Sequence, residues 1–204
     1  MKIICIGRNY IEHAKELNSP LPDKPVFFLK PETSLVSDNQ PFPYPAFSKE
    51  VHYEAEIVLH IGKDGKNIPE QKAGEFIDSI GLGFDFTARD LQQECKSKGL
   101  PWEISKAFDG SAAVSKEFIP KKEFPDLRNI AFRLDLNGKT VQNGNSADMI
   151  FSFEKVVSYV SQFITLKAGD IVFTGTPAGV GPVKIGDLME GYIGDRKLLS
   201  CQII

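Results

Sequence analysis

Through "VHYEAEIVLHIG", residues 51–62, apolar residues recur at every second position. A strand there carries Val51, Tyr53, Ala55, Ile57 and Leu59 on one face and His52, Glu54, Glu56, Val58 and His60 on the other. "SIGLGFDFTA" (79–88) alternates the same way, with Ile80, Leu82, Phe84 and Phe86 opposite Gly81, Gly83, Asp85 and Thr87. "KIICIG" (2–7) reads as a first strand ending at Gly7, and "IAFRLDLNGKTVQNG" (130–144) as a hairpin around Asn137-Gly138. Helical spacing is sparser. "NYIEHAKELN" (9–18) has it weakly, stopped by the prolines of "SPLPDKP" (19–25). "ARDLQQECKSKG" has it after a Thr87–Asp90 capping box, with Gly99 and Pro101 as the stop. "FEKVVSYVSQF" has it after Ser152, and the rest, to the end, reads as strand and turn. Many strands with two or three isolated helices predict an α+β fold, and no repeat or linker divides residues 1–204.

Composition narrows the partners. At 204 residues and 42% hydrophobic, the chain can bury a real core. A net charge of −3 without a basic run argues against nucleic acid and anionic membranes. Cys5, Cys95 and Cys201 are scattered, with no CxxC pair, which predicts neither a disulfide scaffold nor a zinc knuckle and suits a reducing interior. No apolar run approaches membrane-spanning length, and the run before Gly7 and Arg8 is too short for a signal peptide. A soluble cytoplasmic protein is the expectation.

The acidic face of 51–62 is the place to look for chemistry. Glu54 and Glu56 point the same way, roughly 7 Å apart by strand rise. If that face is buried, each must neutralise or find a cation. Asp85 follows two same-side glycines, which leave room for another group to approach. Three hard oxygen ligands with few histidines suit Mg²⁺, Mn²⁺ or Ca²⁺ better than zinc. Alternation alone favours the plainer reading, a solvated acidic face on an antiparallel edge strand. His13 and Glu16, at i and i+3, could form a general base held by a carboxylate, although the pair by itself is better read as a surface ion pair. "FTGTPAGVGP" (173–182) lacks the Lys-Ser/Thr of a phosphate loop and precedes a strand, so it is read as a tight turn able to contact an anion.

"GRNYIEHAKE", "HYEAEIVLHIG", "GFDFTARDLQQECKSKGLPWEISKAFDG" and "MIFSFEKVVSYVSQFITLKAGDIVFTGTPAGVGPV", in that order, resemble the blocks of the fumarylacetoacetate hydrolase family. The match runs over essentially the whole chain and is closest to the family's single-domain branch of acylpyruvases and oxaloacetate decarboxylases. The resemblance implies that Glu54, Glu56 and Asp85 ligate Mg²⁺ or Mn²⁺, with Ca²⁺ as a substitute in crystals. It puts His13 and Glu16 on the dyad of a mobile lid, and Lys106 of "ISKAF" on the active-site lysine. Arg8, Gln92 and Thr176, rather than Thr174, fall on substrate contacts, while His52 and His60 inherit no catalytic role. A mixed β-sandwich roll and a homodimer are implied too. So is an activity: metal-dependent C–C cleavage of small 2-oxo acids, by acylpyruvate hydrolysis or oxaloacetate decarboxylation. An isomerase or tautomerase of 2-oxo diacids is the alternative. A non-catalytic metal- or carboxylate-binding module has no need for His13, Glu16 and Lys106 together.

Overall fold

The computed structural model describes residues 1–16, 20–36 and 39–204; the expected helix end at 17–18 and Ser19 of the proline stop lie outside the described residues. Its main sheet runs in the order Val26–Lys30, Ile3–Gly7, Ile171–Phe173, Ala55–Ile61, Ile77–Asp85, Ala112–Val114, Leu35–Val36, with Ile119–Pro120 paired to Ile77–Asp85 off that path. Pairing is mixed. Ile3–Gly7 runs parallel to Ile171–Phe173, while Ala55–Ile61 is antiparallel to both of its neighbours.

A second, antiparallel sheet of four strands has the order Lys139–Asn145, Ala131–Leu136, Leu188–Ile193, Arg196–Gln202. Its hairpin turns at Asn137 (φ 52) and Gly138 (φ 78), the positive-φ pair that Asn-Gly accommodates. The two sheets pack face to face through Ile57, Leu82, Phe84, Leu134 and Met189, all buried, so the fold is a curled α+β sandwich. Gly191 lets them approach. A Cβ there would collide with Leu82 Cδ2 and lie 3.1 Å from the Phe84 ring. Each fully buried large apolar side chain of this layer contributes roughly 1.5–3 kcal/mol.

Two expectations from the pattern need correction. The strand at 51–62 is not an edge strand and not continuous. Val51–Tyr53 belongs to a small third sheet with Gly181–Pro182 and Thr87–Ala88, and the chain breaks at Glu54 before Ala55–Ile61 enters the middle of the main sheet. The far side of that strand is also covered, because Val58 packs with Ile3, Cys5, Ala112, Val114 and Phe173. Alternation reports polarity and cannot distinguish a wet face from a buried charged one.

The second correction concerns the helix Arg89–Lys98. It ends as expected at Gly99, whose φ is 65, but its N-cap is Ala88, with no side-chain cap. Thr87 instead donates to Asp85 O at 3.4 Å, and Asp90 accepts from Ser48 Oγ at 2.7 Å and Lys49 N at 2.9 Å, tying down the loop before the glutamates. The helix Phe153–Phe163 begins as its sequence predicts, with Ser152 Oγ accepting from Lys155 N.

A candidate metal centre and active site

Antiparallel pairing brings the start of one central strand against the end of the next. Ala55 faces Phe84, Glu56 faces Gly83, and Asp85 N donates to Glu54 O at 2.8 Å. Glu54, Glu56 and Asp85 therefore converge, each offering a carboxylate oxygen within 4.8 Å of the others, and they are only 5%, 1% and 1% exposed. The glycines before Asp85 make room for packing rather than for a ligand. A Cβ on Gly83 would strike the Phe173 ring at 2.5 Å, and one on Gly81 the Phe118 ring at 2.7 Å.

Three cations answer the three carboxylates, unevenly. Lys106 Nζ donates to Glu54 Oε2 and to Asp85 Oδ2, both at 2.8 Å. Arg89 Nη2 donates to Glu54 Oε1 at 2.6 Å. Lys30 Nζ stands 2.7 Å from Asp85 Oδ1, but the angle is not that of a hydrogen bond: its donors go to Ser111 O and Ser111 Oγ, and Asp85 Oδ1 stays buried without a hydrogen-bond donor. Glu56 has only a backbone partner, Gly175 N at 2.6 Å, and among the described residues no cation lies at ion-pair distance from it. Gly175 has φ 102, and a Cβ on it would meet Asn9 Cβ at 2.7 Å, so the turn that brings this N–H to Glu56 requires glycine.

Protonation follows from these contacts. Burial pushes Glu54 up, but the Lys106 and Arg89 charges outweigh it and hold the carboxyl well below its usual range. Burial pushes Glu56 far up, reinforced by Asp85 and Glu54. Burial works against the Lys106 ammonium, yet Asp85 and Glu54 hold its pKa above the ordinary lysine value. The three cations all sit against Glu54 or Asp85, and Glu56 has none of its own. A buried carboxyl with a raised pKa and no cation of its own, within an all-oxygen donor set, fits a hard divalent cation.

His13 sits on the short helix Ile11–Glu16, which overhangs this cage. Its Nδ1 lies 3.1 Å from Glu16 Oε2, and the other Glu16 oxygen accepts from Gly179 N at 3.1 Å. The pair is half-buried: His13 is 5% exposed and lines the same cleft as the carboxylates, while Glu16 reaches solvent. Asn9 fixes the segment leading into the helix. It is fully buried, donates to Phe151 O and Thr174 O, and accepts from Phe151 N.

The cleft holds a cavity of about 30 Å³ that opens to solvent, and Arg8, Gln92, Lys106 and Thr176 also line it. Thr176 Oγ1 donates to Ala55 O and accepts from Gln142 Nε2, both at 2.9 Å, which leaves one acceptor lone pair. Thr174 lies off the cleft, its hydroxyl donated to Ile57 O. Gln92 is buried, its carbonyl oxygen accepting from Arg89 Nη1 at 2.7 Å. His52 pairs with Glu50 and His60 lies beside Asp78, both away from the cleft.

Sequence reasoning missed Lys30, Arg89, Lys96 and Trp102. Arg89 had a signal, opening the helix directly after the Asp85 strand. Lys30 had none, since "VFFLK" carries no clear period.

Comparison with known proteins places this geometry. The family model "Fumarylacetoacetate (FAA) hydrolase C-terminal" matches residues 2–203. The chain belongs to the fumarylacetoacetate hydrolase family. It is 44% identical over 191 residues to mouse (Mus musculus) oxaloacetate tautomerase FAHD1, mitochondrial, covering 94% of this chain and 86% of that one. To Dictyostelium discoideum oxaloacetate decarboxylase, mitochondrial, it is 41% identical over 190 residues, covering 93% and 87%. Among solved structures, fumarylpyruvate hydrolase from Pseudomonas aeruginosa in complex with Mn²⁺ and pyruvate superposes with a TM-score of 0.93 at 38% identity, over 100% of this chain and 89% of that one. Among the described residues no helix is long and apolar enough to cross a membrane.

Proposed function

We propose that this chain is a divalent-metal-dependent enzyme that breaks a C–C bond in small 2-oxo acids, by acylpyruvate hydrolysis, oxaloacetate decarboxylation or both. The observation that carries the reading is the buried three-carboxylate cage, one of its members without a cation, facing a His–Glu pair across one cleft. The names of the relatives support the substrate class. Glu54, Glu56 and Asp85 would hold Mg²⁺ or Mn²⁺, which when bound supplies Lewis acidity toward a 2-oxo acid's oxygens.

The chain's own residues divide the remaining work. Lys106 holds a fixed ammonium where negative charge develops on the substrate as the bond to C3 breaks. Glu16 accepts from His13 Nδ1–H, which fixes the tautomer and leaves Nε2 as the base that takes a proton from water. That water attacks the distal carbonyl of an acylpyruvate, releasing pyruvate and a carboxylic acid. Decarboxylation of oxaloacetate needs no such attack. Arg8, Gln92 and Thr176 contact the substrate, Gln92 by donating from its amide NH₂.

Tautomerisation of oxaloacetate is a second reading, favoured by the names of the mouse and Escherichia coli relatives. It would use the same cage, with His13 moving a proton at C3. The reading also takes 1–204 as one catalytic domain, working as a cytoplasmic homodimer. The test is a screen of 2-oxo and 2,4-dioxo acids with Mg²⁺ or Mn²⁺, products followed by NMR. Pyruvate or CO₂ supports cleavage, and keto–enol exchange alone supports the second reading. Full activity in EDTA, or in Glu56→Ala, overturns the metal-dependent assignment.

A further inference from the structure

Arg8 and Lys96 stand at the mouth of the cleft on one aromatic platform. The Arg8 guanidinium lies 5.9 Å from the centre of the Trp102 ring and the Lys96 ammonium 5.6 Å from it. All three residues line the cleft that holds the carboxylate cage. Among the described residues neither cation has a carboxylate at ion-pair distance. The contrast with their neighbours is direct. Lys98, two positions along the helix, is paired with Glu94 at 2.6 Å, and the inner cations Lys30, Arg89 and Lys106 each touch Glu54 or Asp85. Arg8 also adopts φ 60, a left-handed backbone that costs a non-glycine residue of order 1–3 kcal/mol and persists where the surroundings enforce it.

Two like charges over one ring repel, and Glu54 and the ring itself offset that only in part, since the Lys96 pKa still falls. Burial, then Arg89 and Arg8, already pull the Lys96 ammonium below the ordinary lysine pKa. An anion in the cleft within reach of both would ease that conflict, because a guanidinium and an ammonium together match a carboxylate. The inner cage has its own use for one carboxylate and one keto oxygen. The outer pair therefore calls for a second carboxylate on the same small molecule.

We infer that Lys96 and Arg8, seated on Trp102, bind the distal carboxylate of a dicarboxylic 2-oxo acid, and that Lys96 sets a preference for diacids over monoacids. The inference rests on the 2-oxo acid reading above and deepens it. Lys96→Met removes the charge and keeps an apolar stem on the ring.

Unreactive ligands of equal length isolate the distal group. 2-Oxoglutarate and 2-oxopentanoate both have five carbons and differ in one carboxylate. Titration calorimetry on the Mg²⁺-loaded protein should show the diacid binding at least about tenfold tighter. That ratio should collapse toward one in Lys96→Met, be largely restored in Lys96→Arg, and fall with added salt. Equal affinities in the wild type, or an unchanged ratio in Lys96→Met, overturn the inference and leave the 2-oxo acid reading standing. Binding that is the same in EDTA, or absent for both ligands, overturns the 2-oxo acid reading itself.

Discussion

Glu56→Gln should make the metal-free protein more stable while removing its response to metal. Glu56 is 1% exposed, and its carboxyl lies beside those of Glu54 and Asp85, with ligand oxygens within 4.8 Å. At an effective dielectric of about 20, one like charge at that distance costs about 3 kcal/mol, of which Lys106 returns a part. The substitution keeps an oxygen to accept from Gly175 N and adds an NH₂ that Asp85 or Glu54 can accept from. The expected net gain is about 1–3 kcal/mol, or about 3–10 °C in Tm for a chain of this size.

The sign with pH follows from the raised pKa. A carboxyl that holds its proton longer folded than unfolded contributes stability fully below the unfolded pKa. That contribution is lost as pH rises through the folded one, at up to about 1.4 kcal/mol per unit. In EDTA the advantage of the variant should thus be small near pH 4.5 and grow toward pH 7. Denaturation curves in EDTA at several pH values, repeated with excess Mg²⁺ or Mn²⁺, measure both effects. If the wild type is the more stable protein in EDTA at pH 7, or if the variant gains as much from metal as it does, the account of the cage is wrong.

Three further outcomes test separate parts. His13→Ala should cut turnover by about 10²–10⁴-fold, leaving the metal dissociation constant within a factor of two; kinetics paired with calorimetry would expose the error if turnover holds or metal affinity collapses. Lys106→Met strips the cation from between Glu54 and Asp85, so chemical denaturation without metal should show a loss of about 3–5 kcal/mol, and added metal should recover stability without recovering activity. Gly138→Ala, at φ 78 in the hairpin turn, should cost about 1–2 kcal/mol in denaturation midpoint with turnover unchanged, and a neutral result would mean that the turn relaxes.

Where one physical signal dominated, the sequence was readable. Asn137-Gly138 needs positive φ twice and is the turn; Gly99 stops its helix; Ser152 caps the next. The acidic triad was legible as a pattern, but its burial was not, because the residues that bury it come from Ile171–Phe173 and Ala112–Val114, remote in the chain. Thr87–Asp90 failed as a capping box for a related reason. Ser48 and Lys49, forty positions earlier, outcompete the helix for Asp90. Lys30 was invisible since its role depends on Ser111, eighty-one residues away.

These failures concentrate in one place, and that concentration is informative. A central strand buried on both faces is where an apolar run is expected, so each acid there opposes folding unless something compensates. Here the compensation is drawn from three separate elements, Lys30, Arg89 and Lys106, and it still leaves Glu56 without a cation at ion-pair distance. Had the carboxylates served only to knit the fold, a fourth cation or a neutral residue at position 56 would be the more stable arrangement. Local rules of sequence give way to function where a shortfall of this kind persists. The carboxyl left without a cation lies in the cleft that His13 lines, at the position a divalent ion would take and a fourth buried lysine would permanently block.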